Sequence, residues 1–366
     1  MSLKSLLSEK FGISNKQRSS DKTKLPVGLD IGSCTLKAVE LRSSSKGAYA
    51  LAAYGFEELS PEWVVDGAIM VPEPIVNAIN RIFASQHIQN NRIVTAISGH
   101  SAIVKKISIH VSEEEDLAET IRWEAEQHLP FAIDDVNFDF QVIGENSMTG
   151  ILDILFVAVK KDRIQANINV FKQAKKTPAI LDVNAFALQN AYTFNYEPEE
   201  GNTTALLDIG SGNMMINLAS GTNFLFTRDI SVGGQRYTEF LQKEFNIGYE
   251  QAQALKYGEA VNNISPADVQ YVIDSVTEII CMEIQKTFDF FKSTSTVKNI
   301  DRILVSGGAI HTPGLLDAIG NNFNITVEEF DSFRKIQVDS KRFPTIKEQA
   351  ADMAIAVGLA LRSDEA

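Results

Sequence analysis

Apolar residues along this chain follow two periods in turn, and the switches between them outline its parts. A run beginning at Leu25 predicts a strand, followed by a Gly-bearing loop and by strands at Leu36–Leu41 and Ala48–Phe56. From Pro72 to Phe83 the spacing becomes helical, with Ile75, Ile79, Ile82 and Phe83 on one face. Ile93–Ile97 and Ala102–Ile109 return to strand patterning on either side of the turn Ser98-Gly-His-Ser101. Ser112 with Glu115 has the form of a capping box, opening a helix that carries Leu117, Ile121 and Ala125 and stops at Pro130. Strands at Val136–Ile143 and Ile151–Val159 and a helix at Arg163–Lys175 come next. This helix–strand–strand–helix block, 112–176, predicts a compact subdomain inserted in a first lobe spanning 25–196.

Ile180–Val183 and the helix through Tyr192 finish that lobe, and the acidic stretch Tyr196–Asn202 crosses to a second lobe, 197–366. The plan then repeats. A strand at 205–209 leads to a Gly-bearing loop, strands near 214–219 and 223–230, then Gly233-Gly234 and a helix to Phe245. Ser265 and Pro266 start a long helix, lined by Val269, Val272, Val276, Ile279 and Ile280. That stripe serves either a lobe core or a dimer seam. Asp301–Val305 is a buried strand, and the last helix, about Gln349–Leu361, is built of Ala and Gly. Small side chains permit a close helix crossing at a lobe hinge; such a helix also packs well on its own lobe.

The repeat includes chemistry. Asp30-Ile-Gly-Ser33 and Asp208-Ile-Gly-Ser211 each end an apolar strand. A carboxylate there can hold a hydrated cation, and the glycine lets backbone N–H groups approach phosphate oxygens. One such loop is equally an ordinary hairpin turn; two in matching context predict a phosphate clamp between similar lobes.

Charge narrows the field. The 366 residues carry 34 basic and 47 acidic side chains, a net −13, which argues against nucleic acid as the main ligand. Residues 1–24 run against this trend, with six basic side chains to two acidic, and with Leu3, Leu6, Leu7 and Phe11 near helical spacing. They read as a flexible basic arm, either free or touching an anionic membrane or partner. Two cysteines suit neither a disulfide framework nor a structural zinc site, and no apolar run is long enough to span a membrane. The cytoplasm is the expected compartment.

Taken in order, these motifs resemble the five of the actin-like ATPases. Asp30–Lys37 is similar to their first phosphate loop, Asp208–Asn213 to the second, and Val305-Ser-Gly-Gly-Ala309 to the adenosine loop. Asp182–Tyr192 and Ala354–Leu361 are similar to the two connecting helices. Within that superfamily, Val27–Leu41, Trp123–Phe131, Leu181–Leu188 and Asp229–Gly234 resemble the PilM proteins of type IV pilus assembly. The resemblance implies an α/β, actin-like fold of two lobes, each on a ribonuclease-H-like sheet, with an extra subdomain of the FtsA/PilM type in lobe one. It implies ATP or ADP in the interlobe cleft, with Mg²⁺ held by Asp30 and Asp208. Gly32, Ser33, Cys34, Thr35 and Lys37 would meet the phosphates with Gly210, Ser211, Gly212 and Asn213. Gly307, Gly308 and Ala309 would wall the adenosine, with Gln253 and Lys256 toward ribose and base.

By motif position Asn184 stands where many relatives place an acidic catalytic side chain, and Asp182 is the nearest carboxylate. Asn holds a water but accepts no proton, so at most slow hydrolysis is expected. The resemblance also implies a partner, the N-terminal cytoplasmic peptide of a PilN-like inner-membrane protein, and through it a peripheral place at that membrane. Other pilus platform components and the assembly ATPases are further expected partners. Trp123, Phe131 and Phe138 either line a groove for the peptide or form the core of the inserted subdomain. An FtsA-like filament former and a sugar or acyl-group kinase are the competing functions.

Overall fold

The computed structural model describes residues 25–43, 48–110, 117–146, 150–261 and 263–362. The basic arm 1–24 and the capping pair Ser112 and Glu115 lie outside them. In the first half of the chain, β1 (Val27–Ile31), β2 (Thr35–Ser43) and β3 (Tyr49–Glu58) form an antiparallel meander. The short hairpin β4 (Val64–Val65) and β5 (Ala68–Ile69) and helix α1 (Pro72–Ser85) lead to β6 (Arg92–Ile97), which returns parallel to β1. Next come β7 (Ala102–His110), α2 (Leu117–His128), β8 (Val136–Asn146), β9 (Ile151–Lys160) and α3 (Lys161–Gln173). Then β10 (Thr177–Val183) pairs parallel to β6 and runs into α4 (Asn184–Tyr196). The resulting five-stranded order is β10-β6-β1-β2-β3.

The second half builds the same sheet. Its elements are β11 (Thr203–Ile209), β12 (Met214–Ser220), β13 (Asn223–Ile230), α5 (Gln235–Phe245), α6 (Tyr249–Lys256), α7 (Pro266–Thr294), β14 (Arg302–Ser306), α8 (Leu315–Phe323), β15 (Thr326–Glu329) and α9 (Ala354–Ala360). Their order, β13-β12-β11-β14-β15, reproduces the first sheet strand for strand. In both, the first strand is central and buried on both faces, which explains why Val27 and Leu29, like Ala205, Leu206 and Leu207, are apolar without alternation. Helix α7 starts at Ser265, whose Oγ accepts the Ala267 N–H at 3.3 Å. Its residues Val272, Val276 and Ile280 pack in the core of lobe two rather than forming a dimer seam.

Two boundaries differ from the sequence expectation. The inserted sheet has the order β7-β9-β8, so it takes in a strand that precedes residue 112. Helix α3 leaves the block instead: its Val170 and Phe171 join Ile75, Ile79 and Ile82 of α1 in the lobe-one core. Periodicity marks β7 and α3 correctly but carries no information on which sheet they join. Likewise, residues 331–350 belong to the second half of the chain yet cover lobe one. Phe333, Ile336, Phe343 and Ile346 pack on Val39, Leu41 and Leu51. Gln337 pairs with the outer edge of β3, donating to Tyr49 O and accepting from Leu51 N, each at 2.9 Å. The strap thereby covers an edge that would otherwise stand open.

The lobes are joined where α4 crosses α9. A Cβ on Gly358 would fall 1.7 Å from Ala187 O, and one on Gly28 would fall 2.1 Å from Ala356 O. Among the described residues, no helix is long and apolar enough to cross a membrane.

Candidate functional site

Each lobe presents one tight hairpin to the other. In the first, Gly32 N–H donates to Thr35 O at 2.9 Å; in the second, Gly210 N–H donates to Asn213 O at 3.0 Å. The two loops are therefore hairpin turns in local geometry and also a facing pair in tertiary geometry. They touch: Cys34 Sγ lies 2.9 Å from Ser211 Oγ, and a Cβ on Gly212 would come within 2.7 Å of Ser33 Oγ. A side chain at 212 would have to displace the Ser33 hydroxyl.

Above them opens an interlobe cleft of about 960 Å³. Asp30, Gly32, Ser33, Cys34, Thr35 and Lys37 line it from lobe one, and Asp208, Gly210, Ser211 and Asn213 from lobe two. Gln253, Lys256, Gly307, Gly308 and Ala309 complete its wall, and Asn184, the first residue of α4, also faces it. Gly212 lies instead on a smaller cavity of about 280 Å³ behind the loops. Gly307 has φ +88°, and a Cβ there would strike Ile209 O at 2.6 Å, so the Gly-Gly turn is required by the backbone.

The floor of the cleft is a charge cluster. Lys37 Nζ stands 3.5 Å from Asp30 Oδ2, both nearly buried. Burial alone would lower the Lys37 pKa, but the carboxylates of Asp30, Asp208 and Asp352 together outweigh it and hold the ammonium above its usual range. Burial pushes the Asp208 carboxyl up against the pull of Lys37, while its Oδ1 accepts from Ser306 Oγ at 2.9 Å. Asp30 and Asp208 against one ammonium, with Asp352 already paired to His311, leave an excess of negative charge, which suits a divalent cation. Among the described residues, however, no three metal-ligating side chains converge on one point. Such a cation would have to complete its shell with waters or ligand oxygens, as Mg²⁺ does.

The remaining expected residues separate. Asp182 is buried away from the cleft and faces Arg362 at 3.0 Å, so its carboxylate holds the chain that follows α9 and is not free to orient a water. Gln253 is occupied on both sides, accepting from Thr238 Oγ1 and donating to Tyr249 OH, each at 2.9 Å. Lys256 is almost fully buried, and that burial lowers its pKa to about 8. The three aromatics do not cluster at a joint. Phe131 and Phe138 pack on the inserted subdomain's own core, Phe138 with its ring 5.7 Å from that of Phe156. Trp123, on the outer face of α2, is 65% exposed.

Sequence reasoning missed part of the lining. Glu58–Glu62, Ser98, Tyr249, Glu250 and Tyr257 also face the cleft. Tyr249 and Tyr257, at the two ends of a short helix, keep their rings exposed, and no local pattern in the sequence marked them. Asp352 was legible only as a polar interruption of an Ala-rich stretch. It holds His311 Nε2 at 3.0 Å, tying the segment before α9 to the Gly-Gly turn.

The comparisons agree with this architecture. Among solved structures, the chain is similar to a PilM-PilN type IV pilus biogenesis complex, with 24% identity and a TM-score of 0.83 over 94% of this chain and 100% of that one. It is similar to the ethanolamine utilization protein EutJ from Carboxydothermus hydrogenoformans, at 15% identity and a TM-score of 0.55, over 98% of this chain and 99% of that one. It is also similar to MreB 5 of Spiroplasma citri bound to AMPPNP, at 14% identity and a TM-score of 0.52, over 92% and 95%. These likenesses establish the expected two-lobed actin-like fold. The sequence profile described as type IV pilus assembly protein PilM matches residues 28–364, from the first loop past the last helix, and the chain belongs to that family.

Proposed function

We propose that this protein is an ATP-binding scaffold of the pilus assembly platform, working at the cytoplasmic face of the inner membrane. The observation that carries the reading is the meeting of two equivalent Gly-bearing hairpins across one cleft. The residues fit the nucleotide. Gly-lined loops leave backbone N–H groups accessible, Lys37 supplies a point charge, and the turn at Gly307 and Gly308 offers a wall without side chains. Asp30 and Asp208 would hold Mg²⁺, which offsets phosphate charge when bound. The solved MreB 5 carries AMPPNP on a similar fold, which supports the same class of ligand here. Hydrolysis is slow in this reading, because Asn184 holds a water without accepting its proton and Asp182 is committed to Arg362.

ATP with Mg²⁺ is expected to stabilise the fold by about 2.7 kcal/mol at 100 times the dissociation constant. Thermal shift with Asp30→Ala and Asp208→Ala checks this: both variants should lose the ATP-dependent rise, and a full rise in both would remove the clamp.

The partner is an extended N-terminal peptide of a PilN-like membrane protein, in keeping with the similarity to a PilM-PilN complex. Of the expected aromatic anchors, Trp123 is the one exposed enough to be buried by a peptide. Trp123→Ala should weaken binding of a synthetic PilN-type peptide by tenfold or more, with the melting temperature nearly unchanged. Phe138→Ala should instead destabilise the inserted subdomain by roughly 1–3 kcal/mol. Calorimetric titration and melting curves separate the two. A Trp123→Ala variant that binds normally would move the peptide to another surface.

A further inference from the structure

Lys256 brings an amine to the cleft wall. The residue ends α6 with 5% of its surface exposed, and its side chain reaches the cleft. Among the described residues its Nζ has neither hydrogen bond nor ion pair. Its neighbours are the rings of Tyr257, at 5.0 Å, and Tyr237, at 6.0 Å. It lies against Gly234, where a Cβ would stand 3.2 Å from Nζ. The Gly234 N–H in turn donates to Gly210 O of the second loop at 2.8 Å. An amine with no hydrogen bond or ion pair among the described residues therefore sits at the cleft wall beside the second Gly-bearing loop.

We propose that Lys256 is a site of covalent acylation by acyl phosphates, with the phosphoryl end of the reagent held at the two loops. The proposal rests on the reading of those loops as phosphate-binding. The amine nitrogen attacks the carbonyl carbon, and the bond from that carbon to the bridging oxygen breaks. Inorganic phosphate leaves with the proton released by the nitrogen, and nothing is oxidised or reduced. Lysine nitrogens act as nucleophiles when burial raises the share of the neutral amine, and Lys256 is buried to 5% exposure at the cleft wall. The other titratable groups nearby are Cys34, His311 and Tyr249. Burial holds Cys34 above its ordinary range as a thiol, and His311 is paired with Asp352. With an amine near 8 rather than near 10.4, the neutral fraction at pH 7.5 exceeds that of an ordinary lysine by roughly two orders of magnitude. Acylation replaces a cation at the cleft wall with a neutral amide, so the modified chain attracts an anionic ligand less.

The test is a time course of the full chain with acetyl phosphate at pH 7.5, read by peptide mass mapping. Lys256 should gain acetyl at least tenfold faster than the exposed Lys243 and Lys347. Excess inorganic phosphate should slow Lys256 alone, and Lys256→Arg should show no adduct at that position. Equal rates at the three lysines would overturn the proposal. Fast acetylation of Lys256 that phosphate does not slow would overturn it as well, since the loops would then play no part. The ATP-dependent thermal shift, measured on the same unmodified sample, reports separately on the nucleotide reading.

Discussion

Replacing Gly358 by valine is expected to abolish the folded two-lobed structure. The Cβ would fall 1.7 Å from Ala187 O and 2.5 Å from Ala187 C, both backbone atoms of α4. No rotamer relieves a clash at Cβ itself, so α9 must move away from α4. That movement opens a cluster in which Leu188, Ala191, Ala354, Ile355 and Leu359 are all buried. We expect a loss above about 4 kcal/mol, comparable to the whole stability of a marginal domain. Even Gly358→Ala should lower the melting temperature by many degrees. Gly320→Ala supplies the contrast. It lies inside α8 with Val327 Cγ2 at an ordinary 3.7 Å, and should stabilise by roughly 0.5–1 kcal/mol through helix propensity. Chemical denaturation measures both, and a Gly358→Ala chain as stable as the parent would refute the close crossing.

Lys37→Met is expected to have the second largest effect, on stability and on ATP binding together. The ammonium is the cation that faces Asp30, Asp208 and Asp352 at the floor of the cleft. Removing it leaves buried like charges facing one another, for which a loss of about 3–5 kcal/mol is typical. In the parent chain the Lys37 pKa is raised, so its contribution is fully present below the unfolded lysine value near 10.4 and fades as pH rises through the folded value. The variant should show a new dependence at the acid side. Asp208 is already raised by burial and rises further without Lys37. The folded chain then binds more protons than the unfolded one above pH about 4, so its stability falls as pH rises. The deficit should shrink between pH 7 and pH 5. A variant equally impaired at both values would show that the carboxylates are not coupled through Lys37.

Much of the site was legible because its chemistry lies in short contiguous loops. Asp30 through Lys37 and Asp208 through Asn213 each fold locally, as strand–turn–strand, and the same local rules produced the same hairpin twice. Gly307 was equally legible, since a turn at φ +88° admits little else. The cleft residues that were missed come from segments with no local signature. Tyr249 and Tyr257 flank a short helix, and Glu58–Glu62 is the loop leaving β3; only the approach of the lobes brings them together. Asp182 shows the opposite case. Its motif position suggested catalysis, but Arg362, 180 residues later, takes its charge.

By itself, then, the sequence determined the two sheets, their Gly-bearing hairpin loops and the small-residue crossing helix. Each of these depends on the period of burial or on backbone freedom over a few neighbouring residues. Tertiary structure decided which sheet β7 joined, which lobe the 331–350 strap covered, and whether Phe131 and Phe138 faced a groove or a core. Those outcomes depend on which of several apolar surfaces meet. An apolar stripe specifies that it will be buried, but hydrophobic burial is non-directional, and the partner is fixed only when the whole chain packs at once.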